Sequence, residues 1–280
     1  MQDSLSLFLD THRHSDDAQI AHDLVRTAGQ LALQMRQEGI TTEYKTSISD
    51  VVTDADKAAE NLVSKALAAL RPDDGILGEE GTQRASQSGR TWVIDPVDGT
   101  YNFTSGSDYW CSAVALVHGD TSAPDRIELG AVHRPTTDQT WIGGPELPTT
   151  CNGAPLNPLA QDGNPTADAP LPGLAEVSLG TYLHPSWMQR EEVLKAWLSV
   201  AKVPATIRMF GAASVDLALL ASGTLGGWLQ HSVKDWDWLP GAALVSGVGG
   251  TTAAVEAGGV TWKIAGTSGV VSDISRLLIS

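Results

Sequence analysis

The chain has 280 residues and a formal net charge of −15, with 33 acidic against 18 basic side chains. A chain of this length buries a large core, as one compact unit or as two closely packed halves. Nucleic-acid backbones are bound through clusters of Lys and Arg, and because no such cluster is visible, the composition argues against nucleic acid as a bulk partner.

The first 15 residues contain acids and histidines but no basic start followed by a long apolar core. We therefore expect neither a secretion signal nor a membrane span. Two cysteines occur, Cys111 and Cys151, and each is expected to be a buried thiol and not half of a disulfide. Together these features predict a cytoplasmic protein.

The first half of the chain is predicted to begin with helices and to continue as a meander of antiparallel strands. Apolar residues recur at helical spacing over 16–38, with Ser15 before this segment and Gly39 after it. A second helix is expected over about 57–70, ending at Arg71-Pro72. Strands are predicted around residue 76 and at 92–94, 112–118, 127–133 and 139–142.

The second half is predicted to alternate strands and helices. Asn152-Gly153 is typical of a hairpin turn, and the Pro-, Ala- and Asp-rich segment 161–172 is a surface loop that joins two halves, 1–155 and 156–280. Strands are expected near residue 177 and at 205–209, 227–229 and 260–264, with helices at 187–200, 212–221 and about 239–248. This alternation predicts a sheet covered by helices on both faces, in an α+β or α/β fold.

The most informative segment is 92–100, in which a short apolar strand leads into two carboxylates. Pro96 restrains Asp95 to extended geometry, and Gly99 lets the backbone turn and approach a ligand closely. If a helix starts at Gly99, its free N–H groups can hold a phosphate beside cations that Asp95 and Asp98 bind. The segment therefore predicts metal-dependent phosphate chemistry, although a strand that ends in an ordinary Asp-Gly turn has the same pattern.

Two further acidic features favour a metal site over an ordinary turn, because hard divalent cations take several oxygen ligands. Glu79 lies in the run Gly-Glu-Glu-Gly at 78–81, and Asp237 lies between two tryptophans. An acid flanked by large apolar groups is costly to bury unless it is paired or bound to a metal. The alternative for Asp237 is that it caps the following helix.

With these motifs the chain resembles the inositol monophosphatase family of magnesium-dependent phosphatases. The similar segments are Gly78-Glu79-Glu80, 92–103 and Trp236-Asp237, with weaker support from Lys45, 52–56 and 208–218. The resemblance implies a five-layer α-β-α-β-α sandwich of the inositol monophosphatase and sugar phosphatase type, with the metals at the seam. It also implies a homodimer.

The resemblance implies that two or three Mg²⁺ ions bind to this chain. Glu79, Asp95 and the carbonyl oxygen of Val97 would hold one ion, and Asp95, Asp98 and Asp237 would hold the second. A third ion would lie near Glu79. Crowded carboxylates repel one another and any phosphate, so such a site is expected to work only when cations neutralise it.

The resemblance also assigns catalytic and phosphate-binding roles. Thr100 and Glu79 would orient and deprotonate the attacking water, and Asp56 would hold the Thr100 hydroxyl in place. The backbone N–H groups of Gly99 and Thr100 would grip the phosphate. Lys45 either approaches the phosphate or is a solvated loop charge. By pattern alone, Asp56 is an ordinary first-turn acid of the helix that follows.

The alcohol-binding residues implied by the resemblance are Asp98, Gly211, Ala213 and Gln230. Gln230 occupies a position where the family typically has an acid. The glutamine side chain is as long and can still form hydrogen bonds, but it carries no negative charge. Ala212 replaces a common hydroxyl residue, and 246–248 replaces a segment that usually includes Glu. These departures weaken the expectation of strict inositol specificity.

A rival mechanism forms an aspartyl-phosphate, in enzymes that place one residue between the two acids. Here Pro96 and Val97 both intervene, and because side chains alternate along a strand, the carboxylates would not share a face in the same way. Direct attack by water is therefore favoured over a covalent intermediate.

The sequence thus predicts a magnesium-dependent phosphomonoesterase acting on a small alcohol phosphate, with an inositol monophosphate as the first choice. Histidinol phosphate is the next choice, followed by sugar bisphosphates and adenosine 3′,5′-bisphosphate. A binding relative without turnover is the alternative from another class. The intact acids argue against it, because a protein without catalysis has no need to keep clustered charges.

Overall fold

A computed structural model of the protein describes residues 2–44, 51–159 and 173–280, so Lys45 and the expected joining loop at 161–172 lie outside the described residues. The helices are α1 Gln2–His12, α2 Asp17–Glu38, α3 Asp54–Leu70, α4 Thr100–Thr104, α5 Glu191–Ala201, α6 Ala213–Ala221, α7 Asp235–Gly247 and α8 Ser268–Leu278. The first strands are β1 Thr42–Tyr44, β2 Val51–Thr53, β3 Gly75–Gly78, β4 Gln83–Arg84 and β5 Arg90–Asp98. The others are β6 Cys111–His118, β7 Arg126–Arg134, β8 Gln139–Gly144, β9 Leu147–Cys151, β10 Ala154–Pro155, β11 Ser178–Tyr182, β12 Thr206–Arg208, β13 Gly227–His231, β14 Thr251–Ala257 and β15 Val260–Gly266.

The larger sheet has eight strands in the order β10-β9-β8-β7-β6-β5-β3-β4. Strands β5 to β8 form the predicted antiparallel meander, and β9 and β10 extend it. The strand around residue 76, β3, was expected in the same meander but is parallel to β5. The turn at Asn152-Gly153 joins β9 to β10, and both residues have positive φ, 49° and 77°. Such φ values are what a tight two-residue hairpin requires, so this prediction is confirmed.

Strand β5 is longer than the sequence predicted, and it contains both acids of the central motif. It runs through Asp95 to Asp98, with a register shift between these two residues opposite β6. Pro96 has no N–H to donate, so the ladder is interrupted there. Strict alternation would place residues three apart on opposite faces, and the irregular segment lets both carboxylates reach one site.

The smaller sheet has five strands in the order β12-β11-β13-β15-β14. Strands β12, β11 and β13 are parallel, and β15 and β14 are antiparallel to their neighbours. The turn between β14 and β15 contains Gly258 and Gly259, whose φ values are 60° and 75°. Strand β14 was not predicted, because its alternation of Thr, Ala, Val and Glu is only weakly hydrophobic.

The layers follow the predicted five-layer α-β-α-β-α order. Helices α2 and α3 cover one face of the larger sheet, and α6 and α7 pack between the two sheets. Helices α5 and α8 cover the outer face of the smaller sheet. The fold prediction is therefore confirmed, while the division into halves at 1–155 and 156–280 stays a prediction.

Two helices begin earlier than predicted, because polar residues form their first turns. Helix α3 begins at Asp54 because Thr53 caps it, and α7 begins at Asp235, before the predicted start at 239. Carboxylates in a first turn stabilise the positive end of a helix. Helix α8, capped by the Thr267 side chain, was not predicted.

Both cysteine thiols are free. Cys111 is buried as expected, but Cys151 is only half-buried, because β9 lies near the edge of the larger sheet. Within the described ranges, no helix combines the length and apolar character that crossing a membrane requires.

Candidate active site

Three of the predicted carboxylates meet between β5 and α7. Asp95 and Asp98 come from β5 and Asp237 from the first turn of α7, and each offers an oxygen that lies within 4.8 Å of those of the other two. Asp95 and Asp98 are 1% and 5% exposed, and Asp237 is half-buried. Residues more than a hundred positions apart therefore form one acidic cluster, because α7 packs directly on β5.

Burial and mutual repulsion disfavour the charged forms of these acids. Burial raises the pKa of Asp98 to about 8, and the charge of Asp237 adds to the rise. The pKa of Asp95 lies well above its usual value, first because of burial and then because of Glu79, Asp98 and Asp237. A cation in contact with these oxygens would favour their charged forms instead.

Among the described residues, one fully buried oxygen of the cluster lacks a hydrogen-bond partner. The Val97 N–H donates to Asp95 Oδ1 over 3.1 Å, and the Ser214 N–H at the start of α6 donates to Asp98 Oδ2 over 2.5 Å. Asp95 Oδ2 is buried and has no hydrogen-bond partner among the residues that the structure describes. A buried oxygen of this kind is costly unless a ligand completes it.

Glu79 follows β3, the strand that pairs with β5 in parallel. Its backbone N–H donates to the carbonyl oxygen of Ile94 over 3.2 Å, and its charge contributes to the raised pKa of Asp95. The structure thus places the fourth predicted carboxylate beside the other three.

The loop that carries Glu79 is held by Glu60, a role that the sequence did not reveal. The buried Glu60 carboxylate accepts from the N–H groups of Glu80 and Thr82 over 2.7 and 2.9 Å. A Cβ added at Gly78 would lie 2.4 Å from Glu60 Cδ, so this position accepts only glycine without a shift. On pattern alone, Glu60 is one more polar helix residue, which is why it was missed.

Thr100 meets Asp56 at the starts of two helices. The Thr100 Oγ1 lies 3.2 Å from Asp56 Oδ1 and 3.0 Å from the carbonyl oxygen of Val97. Asp56 is fully buried and also forms a capping box with Thr53, and burial raises its pKa to about 6. The two interpretations of Asp56 from sequence are therefore compatible, because one carboxylate caps α3 and contacts Thr100.

Gly99 precedes α4 in a left-handed conformation with φ of 89°. A Cβ added there would lie 3.0 Å from Ala212 Cβ and 3.2 Å from the carbonyl oxygen of Tyr109. Both the φ angle and the space require glycine. A helix does begin directly after Gly99, which was the condition for phosphate binding there, and Ala212 packs against this glycine.

These elements surround a cleft of about 260 Å³. Its described lining includes the predicted residues Glu79, Asp98, Gly99, Thr100, Gly211, Ala213, Gln230 and Asp237. The lining residues that the sequence did not predict are Val51, Tyr101, Tyr182 and His184. Tyr182 and Gln230 are register partners on the parallel strands β11 and β13, and the shared carboxyl ends of such strands are a usual position for a ligand.

The sequence is similar to those of proteins that are named as phosphatases. A probable inositol 1-monophosphatase, ImpA, from Mycobacterium tuberculosis is 32% identical over 225 residues, which are 79% of this chain and 76% of that relative. A fructose-1,6-bisphosphatase/inositol-1-monophosphatase from Aquifex aeolicus is 29% identical over 222 residues, 78% of this chain and 77% of that relative.

Solved structures show the same fold. The extragenic suppressor protein SuhB of Bartonella henselae superposes with a TM-score of 0.78 at 22% identity, over 93% of this chain and 97% of that one. The sequence model of the inositol monophosphatase family matches residues 14–277, which is nearly the whole chain. The protein therefore belongs to the inositol monophosphatase family, a family of phosphatases.

Proposed function

We propose that this protein hydrolyses the phosphate monoester of a small alcohol in a magnesium-dependent reaction, with an inositol monophosphate as the first substrate. The observation that carries the proposal is the cluster of Asp95, Asp98 and Asp237 beside Glu79 and the glycine turn at Gly99. Relatives named inositol-1-monophosphatase support the choice of substrate.

The residues present fit divalent cations. Hard cations prefer carboxylate and carbonyl oxygens, and Asp95 Oδ2 is a buried oxygen without a partner among the described residues. We propose that Glu79, Asp95 and the Val97 carbonyl hold one ion and that Asp95, Asp98 and Asp237 hold the second. When bound, Mg²⁺ lowers the pKa of a water molecule and stabilises the charge on phosphate oxygens.

Thr100 and Asp56 are proposed to orient the attacking water. The single Thr100 hydroxyl hydrogen serves one acceptor at a time, Asp56 Oδ1 or the Val97 carbonyl. Donation to Asp56 leaves a hydroxyl lone pair to accept a hydrogen bond from water. Glu79, on the same cleft, is proposed to take the proton from that water.

The phosphate is proposed to bind at the start of α4. Gly99 and Thr100 line the cleft beside the acids, and α4 begins directly after Gly99. Backbone N–H groups at such a turn bind phosphate oxygens. Lys45 stays a further candidate for phosphate contact, and the alcohol is proposed to contact Asp98, Gly211, Ala213 and Gln230.

A sugar bisphosphate is the second candidate substrate. The relative from Aquifex aeolicus is named as both a fructose-1,6-bisphosphatase and an inositol-1-monophosphatase. Histidinol phosphate ranks lower, because neutral Gln230 provides no charge for an ammonium group. We further propose a cytoplasmic homodimer: the free thiols support the compartment, and the dimer rests on the family resemblance.

The proposal is tested by phosphate release from a panel of inositol 1-phosphate, fructose 1,6-bisphosphate, histidinol phosphate and glycerol 2-phosphate. We expect release that requires Mg²⁺, stops with EDTA, and is fastest with inositol 1-phosphate. Absence of release from every compound in the presence of Mg²⁺ would contradict the proposed activity.

Metal-free protein is expected to lose stability as the pH rises from 6.5 towards 8. The pKa of Asp98 is raised from 3.8 to about 8, so across this range the folded state retains protons that the unfolded state has released. The free energy of unfolding therefore falls with rising pH. Buried His133, with its pKa lowered from 6.5 to about 4, adds an opposite slope that is largest between these two values and fades as the pH rises above 6.5.

Differential scanning calorimetry checks this pH dependence with and without excess Mg²⁺. We expect Mg²⁺ to flatten the slope, because bound cations favour the charged carboxylates. Asp98→Asn should flatten the slope of the metal-free protein in the same way. Identical slopes with and without Mg²⁺ would contradict the assignment of the acids as metal ligands.

A further inference from the structure

We propose that Tyr182, with Tyr101 beside it, forms an aromatic subsite that selects phosphate esters of uncharged ring alcohols over those of small acyclic alcohols. This inference rests on the proposed phosphatase function and adds to it the residue that sets substrate preference. It begins from three aromatic side chains that line the catalytic cleft, Tyr101, Tyr182 and His184.

Tyr182 is placed by the sheet and not by a loop. It is the last residue of β11, and its register partner on β13 is Gln230, which also lines the cleft. The ring also lies close to Gly211, where an added Cβ would lie 3.9 Å from Tyr182 Cε2. The ring and the Gln230 amide therefore form neighbouring parts of one wall.

Tyr101 adds a second aromatic group to the cleft and is unusually exposed for its size. It is the second residue of α4, directly after Thr100, and 53% of its surface is accessible. Large apolar groups exposed in a cleft are typical of a surface that a ligand covers. Its position next to Thr100 places this group beside the proposed phosphate site.

The chemistry of this wall suits a ring that carries hydroxyl groups. Aromatic rings stack on the apolar face of another ring, and a tyrosine hydroxyl and a glutamine amide exchange hydrogen bonds with alcohols. Burial raises the pKa of the Tyr182 hydroxyl, with a contribution from Tyr101, so the group stays protonated and can donate. The backbone N–H of Ser186 donates to His184 Nδ1 over 3.2 Å, and the Ser186 hydroxyl lies 2.7 Å from the same nitrogen, so these contacts fix the position of the ring.

The charge of the wall favours an uncharged alcohol over one with a second phosphate. The described residues that line the cleft include neither Lys nor Arg. Lys263 is the register partner of Gln230 on β15, but its ammonium lies 5.7 Å from the centre of the Trp238 ring and it is not among the lining residues. A second phosphate would lose its water without gaining a cationic partner from these residues.

The experiment compares kcat and KM of wild type, Tyr182→Ala and Tyr182→Phe on inositol 1-phosphate and on glycerol 2-phosphate, in saturating Mg²⁺. Tyr182→Ala should lower kcat/KM for the ring substrate by about 10-fold, mainly through KM, since it removes a stacking contact and a hydrogen bond. The same variant should change kcat/KM for the acyclic substrate by less than about threefold. Tyr182→Phe should keep most of the ring preference, because only the hydroxyl is lost.

Leu198→Ala is the control, since Leu198 lies on α5 with 46% of its surface exposed and does not line the cleft. It should leave both substrates unchanged. The subsite would be overturned if Tyr182→Ala lowered kcat/KM equally for both substrates. It would also be overturned if Tyr182→Ala left kcat/KM unchanged for both. Absence of phosphate release by wild type from both of these substrates would instead overturn the proposed function with inositol monophosphate as the first substrate.

Discussion

Asp95→Asn is expected to lower kcat/KM for inositol 1-phosphate by about 1000-fold, the upper end of the loss typical when charge stabilisation of a transition state is removed. Asp95 is the carboxylate proposed to contact both cations, and it is 1% exposed, so water cannot replace it freely. Steady-state phosphate release at saturating Mg²⁺ measures the loss.

Stability separates this loss from unfolding. Asparagine cannot ionise, so the variant avoids the burial cost and the repulsion from Glu79, Asp98 and Asp237 that an ionised Asp95 meets. The thermal midpoint of the metal-free variant should therefore be no lower than that of wild type. Added Mg²⁺ should raise the midpoint of wild type and not that of the variant.

The matched control for this variant is Asp235→Asn. Asp235 also lies in the first turn of α7, but its carboxylate accepts from Thr121 Oγ1 over 2.8 Å, outside the acidic cluster. Asp235→Asn should retain activity within about threefold, because asparagine can still accept from Thr121 and a single half-buried hydrogen bond contributes little. Comparable losses in both variants would contradict the role proposed for Asp95.

Thr100→Val is expected to lower kcat by about 100-fold with a small change in KM, because positioning of a reacting water contributes mainly to the chemical step. Valine keeps the branched shape, so α4 should form as before. The hydroxyl that contacts Asp56 Oδ1 and the Val97 carbonyl is the only group lost. Single-turnover rates of phosphate release measure the chemical step.

Thr100→Ser is the matched rescue, since it restores a hydroxyl at the same carbon. It should recover kcat to within about 10-fold of wild type, with the remaining loss due to a freer rotamer. A serine variant as impaired as the valine variant would show that the methyl group matters and that the proposed orientation of water is wrong.

The metal-binding acids could be predicted from sequence because their neighbours are distinctive over a few residues. An apolar run before Asp95, a glycine after Asp98 and tryptophans around Asp237 each indicate a position on a strand end or a helix start. The structure brings these acids together, and the ligand roles themselves stay predictions. The predicted length of β5 was wrong. Pro96 is typical of the end of a strand, but β5 pairs with β6 again after it.

The supporting residues could not be predicted because their roles depend on distant partners. Ser214 donates a hydrogen bond to Asp98 from its backbone N–H, which no pattern of side chains can predict. Glu60 is buried because the loop after β3 lies over it. Tyr182 is the last residue of β11, and its sequence neighbours do not show that Gln230 of β13 lies beside it in the cleft. Tertiary packing decides such positions, and local pattern does not.

The central claim is that carboxylates distant in sequence bind divalent cations together. A crystal structure with Mn²⁺ in place of Mg²⁺ tests it most directly, because both ions take carboxylate oxygens and Mn²⁺ can be located by its anomalous scattering. We predict at least one anomalous peak in contact with Asp95, Asp98 and Asp237, and a second peak in contact with Glu79. A map without peaks at saturating Mn²⁺, with the four carboxylates turned away from one another, would contradict the proposed site.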